Sequence, residues 1–231
     1  MYVKQLWRYP VKSLRGEMLT QAEFTAGGLG GDRVIHVRRR NQVLTARTRH
    51  GLLGLAGTTD QEGRVLINGR PWDDPRSADL VRFVAGADAD LACHAGPERF
   101  DVLPLLVATD GGIDALGRDG RRLRPNIVIG AVPGLAERDW PGRALRIGET
   151  LLGVDSLRGR CVVTTIDPDT GRQDLEVLRR IIREFDGTMA LNCWVAHGGR
   201  IRQGDPVELV DASLEAPDAG GWIRGVPYLV P

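Results

Sequence analysis

Short apolar runs, rich in β-branched residues and bounded by glycine, asparagine or proline, recur along most of the chain. In the first third they fall at 2–7, 18–24, 34–38, 43–46, 52–56, 65–67 and 80–84, and their length and alternation predict strands. Gly27, Gly28, Gly30, Gly31, Asn68 and Gly69 separate them where the chain needs to turn. A second set, predicted as strands on the same grounds, lies at 103–108, 126–129, 144–147, 151–154, 162–166, 191–195 and 207–210. One segment breaks the pattern: Leu175, Leu178, Ile181, Ile182 and Phe185 repeat at helical spacing, with Asp174 placed to cap the first turn and Gly187 just past the end. A shorter helical piece is predicted over 110–116. From Asp211 the periodicity fades and Pro217, Gly220 and Gly221 enter, which reads as a wrapping tail. The fold class that follows is mainly β (α+β), a barrel or sandwich with few helices.

Composition narrows the function. The chain has 231 residues, 42% hydrophobic and 26% charged, enough for a substantial core without disulfides or structural metals. Its 31 basic and 30 acidic residues nearly cancel, which argues against a general binder of nucleic acid or anionic membrane and leaves room for a local basic pocket. No apolar run approaches the roughly 20 residues of a membrane-spanning helix, and the opening MYVKQLWRYPVKS lacks a signal-type apolar stretch, so a cytoplasmic protein is expected. Cys93, Cys161 and Cys193 are an odd, widely spaced set suited to reduced thiols. Four scattered histidines form neither HExxH nor a helical pair, so any bound metal must be held largely by something other than protein.

Several familiar chemistries are absent. The run from Gly27 to Arg33 lacks the third glycine of the dinucleotide fingerprint and no helical pattern follows it; there is no Gly-Lys-Ser/Thr loop and no GxSxG elbow. Arg118, Arg121, Arg122 and Arg124 form a basic cluster compatible with a solvated loop, a small-anion pocket or nucleic acid, and few aromatics accompany it. Only Lys4 and Lys12 are lysines; codon bias or the oxyanion-binding fork of arginine would account for the rest.

The richest segment runs from Arg158 to Gly171. Cys161 follows a short basic loop and is predicted to open an apolar strand, with Arg158 and Arg160 close enough to favour thiolate. Such a sulfur can be a nucleophile, a redox centre, a ligand for a soft metal, or simply a small buried hydrophobe.

This segment, with LRPNIVI at 123–129, WPGRALRIGE at 140–149 and GGRIRQGDPVEL at 198–209, resembles the MOSC domain. YPVKSLRGE at 9–17, GLGGDR at 28–33 and VLTAR at 43–47 resemble the β-barrel domain that precedes it in the same family, and within that family the chain is similar to the mitochondrial amidoxime-reducing component and its bacterial relatives. The resemblance implies a β-barrel MOSC fold with an N-terminal β-rich subdomain, divided as 1–90, 91–212 and a tail at 213–231. It also implies a molybdenum cofactor, a pyranopterin dithiolene complex of molybdenum, with Cys161 as the protein ligand to the metal. Lys12, Ser13, Arg33, Arg124 and Asn126 match positions the family uses around the cofactor, and a compact ammonium, a hydroxyl and guanidinium forks are suitable donors for its phosphate. Arg160, Asn192 and Thr109 are further cofactor-lining expectations, and Asp110 is expected to relay protons during catalysis.

The implied activity is reduction of N-hydroxylated compounds such as amidoximes, hydroxylamines or N-hydroxy bases. Two departures stand out. Gly159 occupies a position where amidoxime reducers tend to carry serine, and the chain lacks the four cysteines of a plant-type ferredoxin segment. Electrons are therefore expected from a separate flavin or iron–sulfur protein. A sulfur carrier or cofactor-transfer protein using a Cys161 persulfide or thiolate is the alternative from a different class, and a non-catalytic domain kept for protein contacts is a third.

Overall fold

The computed structural model describes residues 1–40, 42–215 and 217. Its strands in chain order are β1 (Tyr2–Arg8), β2 (Glu17–Leu19), β3 (Gln21–Thr25), β4 (Gly28–Leu29), β5 (Ile35–Arg39), β6 (Gln42–Leu44), β7 (Gly57–Thr59), β8 (Val65–Ile67), β9 (Arg70–Pro71) and β10 (Asp90–Cys93). They continue with β11 (Leu105–Thr109), β12 (Ile127–Gly130), β13 (Ala144–Ile147), β14 (Thr150–Gly159), β15 (Thr188–His197), β16 (Gly199–Arg202) and β17 (Val207–Val210). Three α-helices join them: α1 (Pro75–Ala85), α2 (Asp110–Leu116) and α3 (Leu175–Phe185).

An eight-stranded sheet, ordered β17-β13-β14-β15-β11-β12-β1-β2, is the frame. Its spine is the ten-residue antiparallel pair β14 and β15, whose register shifts at three points and so bends the pair. At the far side, Val3 N donates to Asp205 O at 2.9 Å and Val207 N to Met1 O at 3.0 Å, with a bridge between Tyr2 and Pro206. These bonds curl the sheet until β1 meets the entry of β17, joined there by a single bridge rather than a continuous ladder. Val3, Leu6, Leu105, Val107, Ile127, Ile129, Leu152, Val154 and Leu191 fill the interior of the curl. A second core, from Val11 and Leu14 to Leu91, gathers β5, β10, β8 and α1. Ala46 and Leu53 from the first half pack with Ile166 and Val163 from the second, so a small apolar contact ties the halves together beside the cleft described below.

The predominance of strands agrees with the sequence pattern, and α3 spans the predicted residues, with Asp174 accepting from Glu176 N at 3.0 Å. Its face is rotated from the one expected. Val177, Ile181 and Phe185 are buried, whereas Leu175 and Ile182 are exposed. The helix ends on Asp186 in the left-handed conformation, one residue before Gly187. α2 takes the predicted 110–116.

Three predicted strands are not strands. Residues 80–84 lie in α1, because Asp74 accepts from Arg76 N at 2.8 Å and Pro75 at the first helical position commits the chain to a helix before the apolar run begins. Residues 52–56 overlap a 3-10 turn, His50–Gly54. Residues 162–166 contain the 3-10 turn Val162–Thr165, where the Thr164 hydroxyl donates to Cys161 O at 2.8 Å and the Thr165 hydroxyl to Val162 O at 2.6 Å. These local bonds outcompete the strand preference of β-branched residues. Most of the predicted tail lies outside the described residues, and those from 211 that are described form no helix or strand. No helix among the described residues is long and apolar enough to cross a membrane.

The burial of α3 sets up a direct comparison. Ile181→Ala should cost about 2–5 kcal/mol, the usual range for truncating a fully buried isoleucine, and Ile182→Ala should stay within about 0.5 kcal/mol, both read from urea unfolding midpoints; equal costs would place the buried face incorrectly.

Candidate functional site

Cys161 lies where β14 has ended and the 162–165 turn begins, with extended backbone and a half-buried side chain. Arg160 N donates to Gly187 O at 2.9 Å, which fixes the approach to the cysteine. The sulfur faces a cleft bounded by both halves of the chain: Lys12, Ser13, Arg33, Thr45, Ala46 and Arg47 from the first, and Phe100 to Leu103, Leu105, Leu106, Leu123, Arg124, Asn126, Arg158 to Cys161, Val163 and Asn192 from the second.

Six of these residues are cations, Lys12, Arg33, Arg47, Arg124, Arg158 and Arg160, and one is a carboxylate, Asp101. Asp101 gathers three of them, accepting from Lys12 Nζ at 2.7 Å, Arg47 Nη2 at 2.8 Å and Arg158 Nη2 at 3.1 Å. Burial alone would raise its pKa, but Lys12, Arg47 and Arg158 hold it well below the usual carboxylate range. Lys12, almost wholly buried, is lowered by desolvation in spite of Asp101; its ammonium also donates to Arg99 O at 2.7 Å. For Arg47, burial works against the charge, yet Asp101 and Cys161 together raise its pKa.

The remaining cations form a layer behind this hub. Arg124 and Arg33 stack on the Tyr9 ring, with guanidinium carbons 4.3 and 5.0 Å from its centroid. Burial pushes Arg124 down to about 10 and the Tyr9 phenol up to about 12. Arg160 is likewise lowered to about 10, first by burial and then by Arg158, while its Nη2 donates to Leu123 O at 2.7 Å. Arg33 pairs with the fully buried Asp32, which also accepts from Tyr9 N at 2.8 Å. Two guanidinium nitrogens, Arg124 Nη2 and Arg160 Nε, are buried without a partner. A buried polar group in that condition costs stability until something accepts its hydrogen bond.

The sequence expectations divide cleanly. Lys12, Ser13, Arg33, Arg124, Asn126, Arg160, Cys161 and Asn192 all line the cleft. Ser13 Oγ accepts from Ala46 N at 3.0 Å, Asn126 Oδ1 from Leu106 N at 3.2 Å and Arg33 Nη1 at 3.4 Å, and Asn192 Oδ1 from Arg158 Nη1 at 3.4 Å. Ser13, Arg33 and Arg124 have left-handed backbones, with φ of 74°, 56° and 58°. Thr109 and Asp110 do not line it. They stand at the C-terminal end of β11, where Thr109 Oγ1 caps α2 through Gly112 N at 3.0 Å. The Asp110 carboxylate is held by the amides of Gly111, Ala131 and Val132 and lies 3.5 Å from Lys4. Its structural work at a helix start explains why the residue is there, and the proton role expected of it has no geometric support.

Sequence reasoning missed Asp101 and Arg47 as members of the site. Asp101 stands at the edge of the apolar run 102–108, and its partners come from residues 12, 47 and 158, so only the folded chain brings them together. Within the basic cluster, Arg121 is answered by Asp119 and Asp169, Arg122 by Asp167 and Arg118 by Asp174. Arg124 alone has no carboxylate at ion-pair distance among the described residues, and it alone reaches the cleft. Cys193, buried in the core with its thiol pushed far up by burial, is chemically quiet. Among the described residues, no group of three or more His, Cys, Asp or Glu side chains could hold a metal.

Comparison with known proteins gives two family matches, the MOSC N-terminal beta barrel domain over residues 1–86 and the MOSC domain over residues 113–208. Mitochondrial amidoxime-reducing component 1 of Homo sapiens is 25% identical in an alignment spanning 90% of this chain and 82% of that protein. The Mus musculus protein of the same name is 27% identical with the same coverage. Molybdenum cofactor sulfurase 2 of Culex quinquefasciatus is 38% identical over 76 residues, 33% of this chain but only 10% of that protein.

The hub at Asp101 has a measurable signature. Asp101→Asn should destabilise the fold at neutral pH by roughly 3 kcal/mol, the low end for breaking a buried ion pair. Because the folded-state pKa of Asp101 is depressed, the stability it contributes is present above the unfolded carboxylate value and is lost as pH falls through the folded one. The gap between wild type and variant in chemical denaturation should therefore shrink below about pH 4; a gap independent of pH would contradict the charge assignment.

Proposed function

The chain belongs to the MOSC family, carrying its N-terminal beta barrel domain followed by the MOSC domain, and from that premise we propose that it binds a molybdenum cofactor in the cleft at Cys161 and reduces N-hydroxylated compounds. The observation that carries this reading is the surplus of cations over carboxylates around one accessible thiol. A cofactor that brings its own sulfur ligands and a phosphate needs from the protein one further sulfur and a set of anion donors. The cleft supplies both, and the unpartnered Arg124 and Arg160 nitrogens are donors awaiting acceptors. The lack of a polydentate protein site for a metal among the described residues fits a metal whose other ligands arrive with the cofactor.

In this reading Cys161 is the ligand to molybdenum. Lys12, Ser13, Arg33 and Arg124 hold the phosphate, while Asn126, Arg160 and Asn192 supply hydrogen bonds to the pterin. When bound, the cofactor supplies the two-electron redox chemistry by which the oxygen of an amidoxime, hydroxylamine or N-hydroxy base is removed; with two protons taken up, that oxygen leaves as water. Asp101 keeps Lys12, Arg47 and Arg158 oriented toward the anion. Being held ionised, it accepts hydrogen bonds rather than delivering protons. Asp110 is engaged by backbone amides at the far end of β11, so the proton route does not pass through it. At Gly159 a Cβ would meet nothing within 4 Å, so this side of the cleft is open where the amidoxime reducers tend to carry serine. In this reading the electrons come from a separate flavin or iron–sulfur protein.

The local similarity to molybdenum cofactor sulfurase favours a second reading, in which Cys161 carries a persulfide or hands the cofactor on. Protein from a cofactor-competent host should contain molybdenum by ICP-MS and pterin by fluorescence, and should turn over benzamidoxime with an artificial electron donor. Cys161→Ala should abolish turnover. Lys12→Gln should lower cofactor retention roughly 10–100-fold, the value of one charge-assisted hydrogen bond. Well-folded protein with neither molybdenum nor pterin would remove the proposal, and a gain of one sulfur atom at Cys161 after incubation with a cysteine desulfurase, without reductive turnover, would establish the second reading.

A further inference from the structure

Beside the cleft lies a second cavity of about 370 Å³, formed where the end of β1 and the turn after it meet residues 121–124 and 163–168. Trp7, Tyr9, Leu53, Ile166 and Pro168 make its apolar wall, and Arg15, Arg121, Arg122 and Arg124 make its polar one. No carboxylate is among the lining residues.

Two of the four arginines are already neutralised from outside. Arg121 is paired with Asp119 and Asp169, each at 2.6 Å, and Arg122 with Asp167 at 2.8 Å. Arg15 and Arg124 have no carboxylate at ion-pair distance among the described residues; Arg15 reaches only Gly54 O, at 3.1 Å, and Arg124 stacks on Tyr9. Arg15 Nε, Arg122 Nε and Arg124 Nη2 are all buried without a hydrogen-bond partner. A wall of four guanidinium groups with no lining carboxylate, in which Arg15 is uncompensated and takes no part in the cleft, favours an anion. The facing wall excludes a small, strongly hydrated one. Inorganic phosphate would surrender its water to Trp7, Leu53 and Ile166 and regain nothing from them. An acid with an apolar body satisfies both walls, its carboxylate accepting from guanidinium forks and its ring leaving water against the indole and aliphatic side chains. The volume lies within the range of small-molecule sites.

We infer that this second cavity is a binding site for a small aromatic carboxylate, with the acid group on the arginine side and the ring against Trp7 and Ile166. The site requires neither molybdenum nor Cys161, so it stands or falls separately from the proposed reductase activity. It touches the cleft through Arg124 and Val163, which line both cavities.

The test is titration of the full-length protein with 2-naphthoate, followed by calorimetry and by the fluorescence of Trp7, taken as the ligand-dependent signal lost in Trp7→Leu. One molecule should bind per chain, and the neutral isostere 2-naphthylmethanol should bind at least 10-fold more weakly. Arg15→Gln should weaken 2-naphthoate at least 10-fold. Ala56→Leu, which removes no charge and fills space on the lining, should do the same and guards against a folding defect in the first variant. Lys12→Gln, which alters only the cleft, should leave affinity within 2-fold. Loss of binding in Lys12→Gln with retention in Arg15→Gln would put the acid in the cleft and overturn the inference. Equal binding of the neutral isostere, or no binding at millimolar concentration, would overturn it as well.

Discussion

Like charges forced together around a thiol are the constraint on which the rest of this molecule turns. Six cationic side chains line one cleft, and a single carboxylate, Asp101, stands among them. Left to themselves they would repel and each would lose hydration on burial. The fold answers by distributing them. Asp101 takes Lys12, Arg47 and Arg158; Asp32 takes Arg33; the Tyr9 ring lies against Arg33 and Arg124; and the Leu123 carbonyl takes Arg160. What is left over is a positive field with unsatisfied donors, which makes the cleft receptive to an anion before any ligand is considered.

That arrangement depends on the architecture. β14 and β15 carry Arg158 and Asn192, and the chain leaving β14 delivers Arg160 and Cys161 to the same end of the sheet. Asn126 arrives just ahead of β12, sealed by its bonds to Leu106 N and Trp7 O. Lys12, Ser13 and Arg33 come from the turns that follow β1 and precede β5, and Lys12 N is tied to Ile35 O at 2.7 Å. Neither half of the chain supplies the cleft alone, and the apolar contact of Ala46 and Leu53 with Ile166 holds the two sides in register.

Much of this was legible in the sequence because it is local or repeated in short motifs. The strands with plain alternation and the capped helix α3 could be read from neighbouring residues, and the resemblance of short motifs to the MOSC family pointed to Lys12, Ser13, Arg33, Arg124, Asn126 and Cys161, all of which line the cleft. Two of the strand misreadings share one cause. Residues 80–84 and 162–166 have strand-forming composition, but a cap at Asp74 and threonine hydroxyls bonding back to the backbone decide otherwise. Asp101 and Arg47 went unrecognised because their importance lies in partners 54 to 89 residues away. Asp110 was expected near the cofactor from the family resemblance; the fold puts it outside the cleft, with its carboxylate held by backbone amides.

Ser13, Arg33 and Arg124 hang from backbone that an L-residue adopts only against steric resistance, at roughly 1 kcal/mol or more each. Glycine would relieve that strain at every one of them. A campaign that selected this chain for heat resistance alone would therefore be drawn toward the very codons that build its anion cradle, and would harden the scaffold while emptying it of purpose.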